Sequence, residues 1–234
     1  MSVVYGSNTG PSARALAEGL GIPAIRWRDY EGGGEVNWTG RPIEGIINGN
    51  TETNKLRQLE RWGSAGIAHV PFSTTPLEGW LPRSNYHWGG QDFVRRRQHD
   101  FYTEPIHSVK EWRVHVFRKP GGRRGMPGDY KVVRVGWKIN IEPELNREAN
   151  GVQIRNRRTG WRLNHYAEAP RVAARDALAK WAISILGWDF GCVDVLQTEG
   201  QEKWVLLEGN SCPGLKDAAT LRCYVQHVGA LLNT

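Results

Sequence analysis

The stretch ALAKWAISILGWDFGCVDVLQTEGQEKWVLLEGNSCPGL, residues 177–215, decides how the chain is read. Ala174, Leu178, Trp181, Ala182 and Ile185 recur at helical spacing and predict a helix over residues 170–186, ended by Gly187. Two apolar runs follow, residues 189–196 and 203–210, separated by the polar turn QTEGQE, and read as strands. Period-two alternation puts Asp194 on one face with Phe190, Cys192 and Leu196. The same rule puts Glu208 and Asn210 with Trp204 and Leu206. If the strands pair as an antiparallel hairpin, three oxygen-bearing side chains converge at one end of a sheet. Two carboxylates and an amide oxygen are hard donors suited to Mg²⁺, which takes one or two carboxylates plus substrate phosphates. An unpaired buried carboxylate is costly. The competing reading therefore pairs Asp194 and Glu208 with arginines and lets Asn210 begin a turn.

Upstream, EWRVHVFRK (residues 111–119) and DYKVVRVGWKI (129–139) are joined by the loop PGGRRGMPG and predict a β-hairpin. Alternation places Glu111, Arg113 and His115 on one face of the first strand. It places Arg134 and Lys138 together on the second, with Val133, Val135 and Trp137 opposite. The first third reads as a small α/β lobe. It comprises a strand at 2–5, a helix from Pro11 to Gly21, a strand in GIPAIRW, a helix over 52–62 and a strand in AGIAHVPF (65–72).

With these residues in place, the C-terminal segment resembles the signature of the ATP-grasp superfamily, which includes D-alanine–D-alanine ligase, glutathione synthetase and the ribosomal-protein glutamate ligases. There an alanine-rich helix leads to a G-x-D-F-x-x-V-D strand and then to a strand ending L-E-x-N-x-x-P-G. The resemblance implies that Asp194, Glu208 and Asn210 hold the Mg²⁺ that bridges the phosphates of ATP. FYTEPIHSVKEWRVHVF (101–117) is similar to the family's hinge and following strand, implying that Glu104 to Ile106 contact the nucleoside and Arg113 faces the reacting centre. VVRVGWKI looks like the strand whose terminal basic residue, here Lys138, reaches the phosphates. VQIRNRRTGW is similar to the segment that carries Arg155 and a catalytic Asn156, with Gly160 closing the turn. ETNKLRQLERWGSAGIAHVPF (52–72) resembles the helix and strand that end the family's first lobe. In WLPRSNYHWGGQDF (80–93), Arg83 stands where the family carries a phosphate-binding lysine, before a loop of only His87 to Gly90. Arginine also binds phosphate well.

The implied fold is α+β: two α+β subdomains clamping nucleotide between antiparallel sheets in residues 79–234, after a reduced α/β lobe in 1–78. The implied activity is ATP-dependent activation of a carboxylate as an acyl phosphate and its ligation to an amine or similar nucleophile, releasing ADP and phosphate.

Composition narrows the alternatives. Three cysteines without a C-x-x-C pair argue against a disulfide framework and a thiolate zinc site, leaving Cys192 and Cys212 as small buried thiols. A net charge of +7 favours anionic partners such as nucleotides, nucleic acid or acidic peptides, and a nucleic-acid or acidic-peptide acceptor stays open. No apolar run suffices to span a bilayer, and MSVVYGSNTGPSA has no secretory pattern, so a cytoplasmic protein is expected. Two further readings compete. VVYGSNTGPSARALAEGL has the strand–turn–helix form that cradles FMN phosphate in flavodoxins. FVRRRQHDF and IRNRRTGWR interleave basic and aromatic residues as nucleic-acid sites do.

Overall fold

The computed structural model describes residues 1–7, 9–85, 99–155, 157–164, 172–200 and 203–234. The chain opens with β1 (Val3–Tyr5), α1 (Gly10–Leu20), β2 (Ala24–Arg26) and β3 (Val36–Trp38), forming a parallel sheet ordered β2-β1-β3. Val3, Val4 and Tyr5 are all buried, since this sheet is covered on both faces and its central strand must be continuously apolar. Helix α1 carries Pro at its start and ends at Gly21 in the left-handed region, as its sequence predicts.

Helix α2 (Lys55–Ser64) is capped by Asn54, whose side chain accepts from Arg57 N at 3.1 Å. The next segment departs from expectation. AGIAHVPF is not one continuous strand. Its residues 68–70 run parallel to β13 (Trp204–Asn210), with Val70 N donating to Leu206 O at 2.9 Å and Leu206 N to Ala68 O at 3.0 Å. The chain then turns into β4 (Phe72–Ser73), which joins β5 (Leu81–Arg83) and β6 (Phe101–Thr103) in a small antiparallel sheet ordered β4-β6-β5. Packing thus crosses the expected division at residue 78. Trp62 Nε1 donates to Ala182 O at 3.1 Å, and Leu59, Trp62, Ile67 and Val70 lie in the same core as Ala179, Ile183, Val193 and Leu206.

The main sheet is antiparallel and five-stranded, ordered β11-β8-β7-β12-β13. It contains β7 (Ser108–Arg118), β8 (Tyr130–Asn140), β11 (Trp161–Asn164), β12 (Phe190–Thr198) and β13, with β9 (Glu148–Ala149) and β10 (Val152–Gln153) forming a separate short hairpin. This antiparallel centre is incompatible with the flavodoxin reading. One face of the sheet buries Trp112, Val114, Val193, Val195 and Leu206 against α3 (Ala173–Leu186). On the other face, Phe117 and Phe190 pack with Tyr224 of α4 (Ala218–Leu232) and with α1, but only at one end. Beyond that end the face carries charge.

Two bulges alter the expected alternation. Between Asp194 and Val195 the β12–β13 register shifts, so Glu208 opposes Asp194 while Leu206 opposes Val195. Glu208 and Leu206 therefore point to opposite faces, although their spacing predicts one face, because the extra residue resets the period. On the β7–β8 pair a shift between His115 and Val116 leaves Val133 out of register, and it packs with the N-terminal core rather than with Val135 and Trp137. The glycines flanking the carboxylate strands are set by packing. A Cβ on Gly191 would lie 2.8 Å from the Trp188 ring, and one on Gly209 3.1 Å from it.

Candidate active site

Antiparallel register brings distant charges into rows. Asp194 is the direct cross-strand partner of both Glu208 on β13 and Arg113 on β7, and Cys192 is the partner of Asn210. Directly opposed side chains share a face, so these groups all project from the half-open side of the sheet. Arg113 Nε and Nη2 donate to Asp194 Oδ1 and Oδ2, both at 2.7 Å, in the bidentate geometry peculiar to arginine. Burial by itself would lower the Arg113 pKa, but the Asp194 charge outweighs it and holds the guanidinium well above its ordinary value.

Glu208 is met from two directions. Lys55, the first residue of α2, forms an ion pair with its Oε2, and Arg83 Nη2 at the end of β5 lies 3.6 Å from the same oxygen. The Arg83 Nε is buried without a hydrogen-bond partner among the described residues. One row along β7, Glu111 pairs with Lys138 of β8, whose Nζ also donates to Arg155 O at 2.6 Å. Burial pushes the Glu111 carboxyl up, nearby Asp194 and Glu208 add to this, and Lys138 opposes it.

The expected site residues separate into groups. Arg83, Arg113, Asp194 and Glu208 come together, with Asn210 on the same face and Lys138 beside them through Glu111. Asn210 Oδ1 accepts from Cys212 N at 3.3 Å, the turn-forming contact of the competing reading. Arg155 is held at the start of β7. Nη1 and Nη2 donate to Ser108 Oγ and O at 3.0 and 2.5 Å, and the group lies 5.1 Å from the Trp161 ring centroid. Glu104 is exposed and its N–H donates to Pro71 O at 3.0 Å, while Ile106 packs against the main core; both lie on the link between the small sheet and β7. Asn156, the loop His87 to Gly90 and most of FVRRRQHDF fall outside the described residues.

Sequence reasoning gave no role to Lys55 or Glu111. The Asn-Lys at the head of α2 lies in a segment matched to the family, which was the signal available for Lys55. For Glu111 the signal was a carboxylate alternating with Arg113 on an apolar strand. The thiols are inert at neutral pH, since burial pushes Cys192 and Cys212 up to about 12. Among the described residues, no three His, Cys, Asp or Glu side chains are grouped to hold a metal ion. The expected set takes its third oxygen from an asparagine. No described helix is long and apolar enough to cross a membrane.

No family model matches the chain, and no curated protein matches it. Solved structures do. D-alanine–D-alanine ligase from Bacillus anthracis superimposes with a TM-score of 0.62 at 11% identity, over 100% of this chain and 96% of that one. The ATP-grasp ligase PsnB, complexed with minimal precursor, Mg and ADP, gives 0.59 at 11% identity over 98% and 97%. N5-carboxyaminoimidazole synthase from Aspergillus clavatus, in complex with ADP and 5-aminoimidazole ribonucleotide, gives 0.61 at 14% over 99% and 76%. At these identities the likeness establishes architecture, a mixed fold of helices and antiparallel sheets. The chain has the ATP-grasp fold.

Proposed function

We propose that the chain is an ATP-dependent ligase that joins a carboxylate to an amine or similar nucleophile, releasing ADP and phosphate. One observation carries this reading: Asp194 and Glu208 oppose each other across β12 and β13, on a face where Lys55, Arg83, Arg113 and Lys138 also gather. Two facing carboxylates with an amide oxygen on the same face are a donor set for Mg²⁺. Cations converging from four elements suit a polyphosphate, and the buried Arg83 Nε, without a partner among the described residues, is a donor in want of an acceptor. The residues present therefore fit Mg-ATP, and Mg²⁺ bound there would neutralise charge developing on the moving phosphoryl group.

In this reading Asp194, Glu208 and Asn210 hold metal. Arg83, Lys55 and Lys138 hold phosphate oxygens, while Glu104 and Ile106 contact the nucleoside. Arg113 stabilises charge at the reacting carboxylate. Arg155 contributes through its carbonyl, which fixes Lys138 Nζ, and Asn156 would hold a phosphate oxygen. The carboxylate oxygen takes the γ-phosphoryl group and ADP leaves. The acceptor nitrogen then attacks the carbonyl carbon, the C–O bond to phosphate breaks, and the nitrogen loses its proton. The solved complexes with ADP, and with precursor or ribonucleotide, support the nucleotide and leave the acceptor class open.

Calorimetric titration with ADP, with and without Mg²⁺, tests the reading on the wild-type chain and on the Glu208→Ala, Asn210→Ala double variant. Mg²⁺-dependent binding should be lost in the variant by at least about a hundredfold, roughly 2.7 kcal/mol, while its circular dichroism stays unchanged. Absence of ADP binding by the wild-type chain under either condition would remove the proposal.

A further inference from the structure

The carboxylate pair is not left open. Glu208 is gripped by Lys55 and Arg83, and Asp194 by Arg113. The neighbouring Glu111–Lys138 pair cancels itself, so among the described residues three cations face two carboxylates. A free divalent cation entering here meets like charge and finds Glu208 Oε2 and both Asp194 oxygens already paired with cations. A polyphosphate meets the opposite situation, with cations close by and a buried Arg83 Nε that has no acceptor among the described residues.

Lys55 and Arg83 are anchored independently. Lys55 is fixed by the Asn54 cap and by the seating of α2 on β13. There Gly209 N donates to Gln58 Oε1 at 2.8 Å and Gln58 Nε2 to Gly209 O at 3.3 Å, one residue beyond Glu208. Arg83 ends β5 in the small sheet, so Glu208 is where three elements meet. We propose that Lys55 and Arg83 guard Glu208: they bar the carboxylate pair to a free divalent cation and release it when a polyphosphate takes them. Metal and nucleotide then enter together, each tightening the other by the same factor. This rests on the nucleotide reading above and specifies how that site is gated.

The test uses Mn²⁺, read by electron paramagnetic resonance, on the full chain alone, with ADP, and with inorganic tripolyphosphate. The wild-type chain should bind Mn²⁺ weakly alone and at least tenfold more tightly with either polyphosphate. Lys55→Met, and independently Arg83→Met, should bind Mn²⁺ alone about tenfold more tightly than wild type. Both should lose about tenfold in metal-free ADP affinity, and Lys55→Arg should restore both values. A role in folding alone would not raise metal affinity. Equal Mn²⁺ affinity with and without polyphosphate overturns the guard, as do variants that bind Mn²⁺ no more tightly while ADP binding persists. If tripolyphosphate tightens Mn²⁺ binding but ADP never binds, the guard stands and the nucleotide reading falls.

Discussion

Asp189, just before β12, and Asp194, in its middle, are both buried aspartates that face arginines, yet they are satisfied to different degrees. Asp189 accepts from Arg118 Nε at 2.7 Å, Arg124 Nε and Nη2 at 2.9 and 2.6 Å, and Asn48 N at 2.6 Å. Asn48 in turn sits in the left-handed region and accepts from Asp189 N at 3.1 Å through its side-chain oxygen. A carboxylate offers about four acceptor positions, so the protein saturates Asp189. Asp194 receives two hydrogen bonds, both from Arg113, and stands opposite a second carboxylate. The saturated aspartate fastens the β7–β8 loop and the 43–49 turn to β12. The half-satisfied one keeps acceptor capacity for something the chain does not itself supply.

The widest separation between the two should come from alanine. Asp189→Ala leaves the mostly buried Arg118 and the Asn48 N–H without their acceptor, while the half-exposed Arg124 can turn to water, and breaking the buried Arg118 pair costs up to about 3 kcal/mol. A urea unfolding curve should show that loss, whereas ADP binding by the folded fraction should persist. A stability loss below about 1 kcal/mol would contradict the view of this corner as a fastener.

Asp194→Asn should invert the pattern. The amide oxygen still accepts from Arg113, which is partly exposed, so unfolding should shift by only about 1 kcal/mol. Mg²⁺-dependent ADP affinity should drop by about a hundredfold, because a neutral amide is a poorer Mg²⁺ ligand. A stability loss as large as that of Asp189→Ala would make Asp194 a second fastener and erase the contrast.

The contrast was only half legible in the sequence. Asp194 and Glu208 lie on strands whose alternation and ending both point to a site, and the helix stop at Gly187 follows from local chemistry. Asp189 sits in the matched G-x-D-F pattern but acquires its partners from residues 48, 118 and 124. No spacing rule connects those positions. Lys55 likewise reaches Glu208 across most of the chain, and such pairings belong to tertiary packing rather than to any period. The bulge at Asp194/Val195 was illegible for another reason: one inserted residue breaks the alternation used to assign faces, so Leu206 was placed with Glu208 and lies opposite it. AGIAHVPF reads as a strand because it is apolar, yet only His69 forms a bridge to β13 before the chain turns away.

The smallest effect isolates charge from packing at the fastener. Burial pushes the Asp189 carboxyl up, but the hydrogen bonds from Arg124, Asn48 N and Arg118 outweigh it and hold the group below its ordinary value of 3.8. Between the folded and unfolded values the unfolded chain binds the proton more readily, so stability rises with pH through that window. The contribution is complete above 3.8 and is lost as pH falls through the folded value. Asp189→Asn has no proton to take up there. Urea midpoints measured from neutral pH down to about 2.5 should therefore show the gap between wild type and Asp189→Asn closing on acidification, while the gap at neutral pH stays flat. A gap that remains constant to the lowest pH would mean that shape alone holds this corner. The distinction between a saturated and a half-satisfied carboxylate would then lose its electrostatic basis.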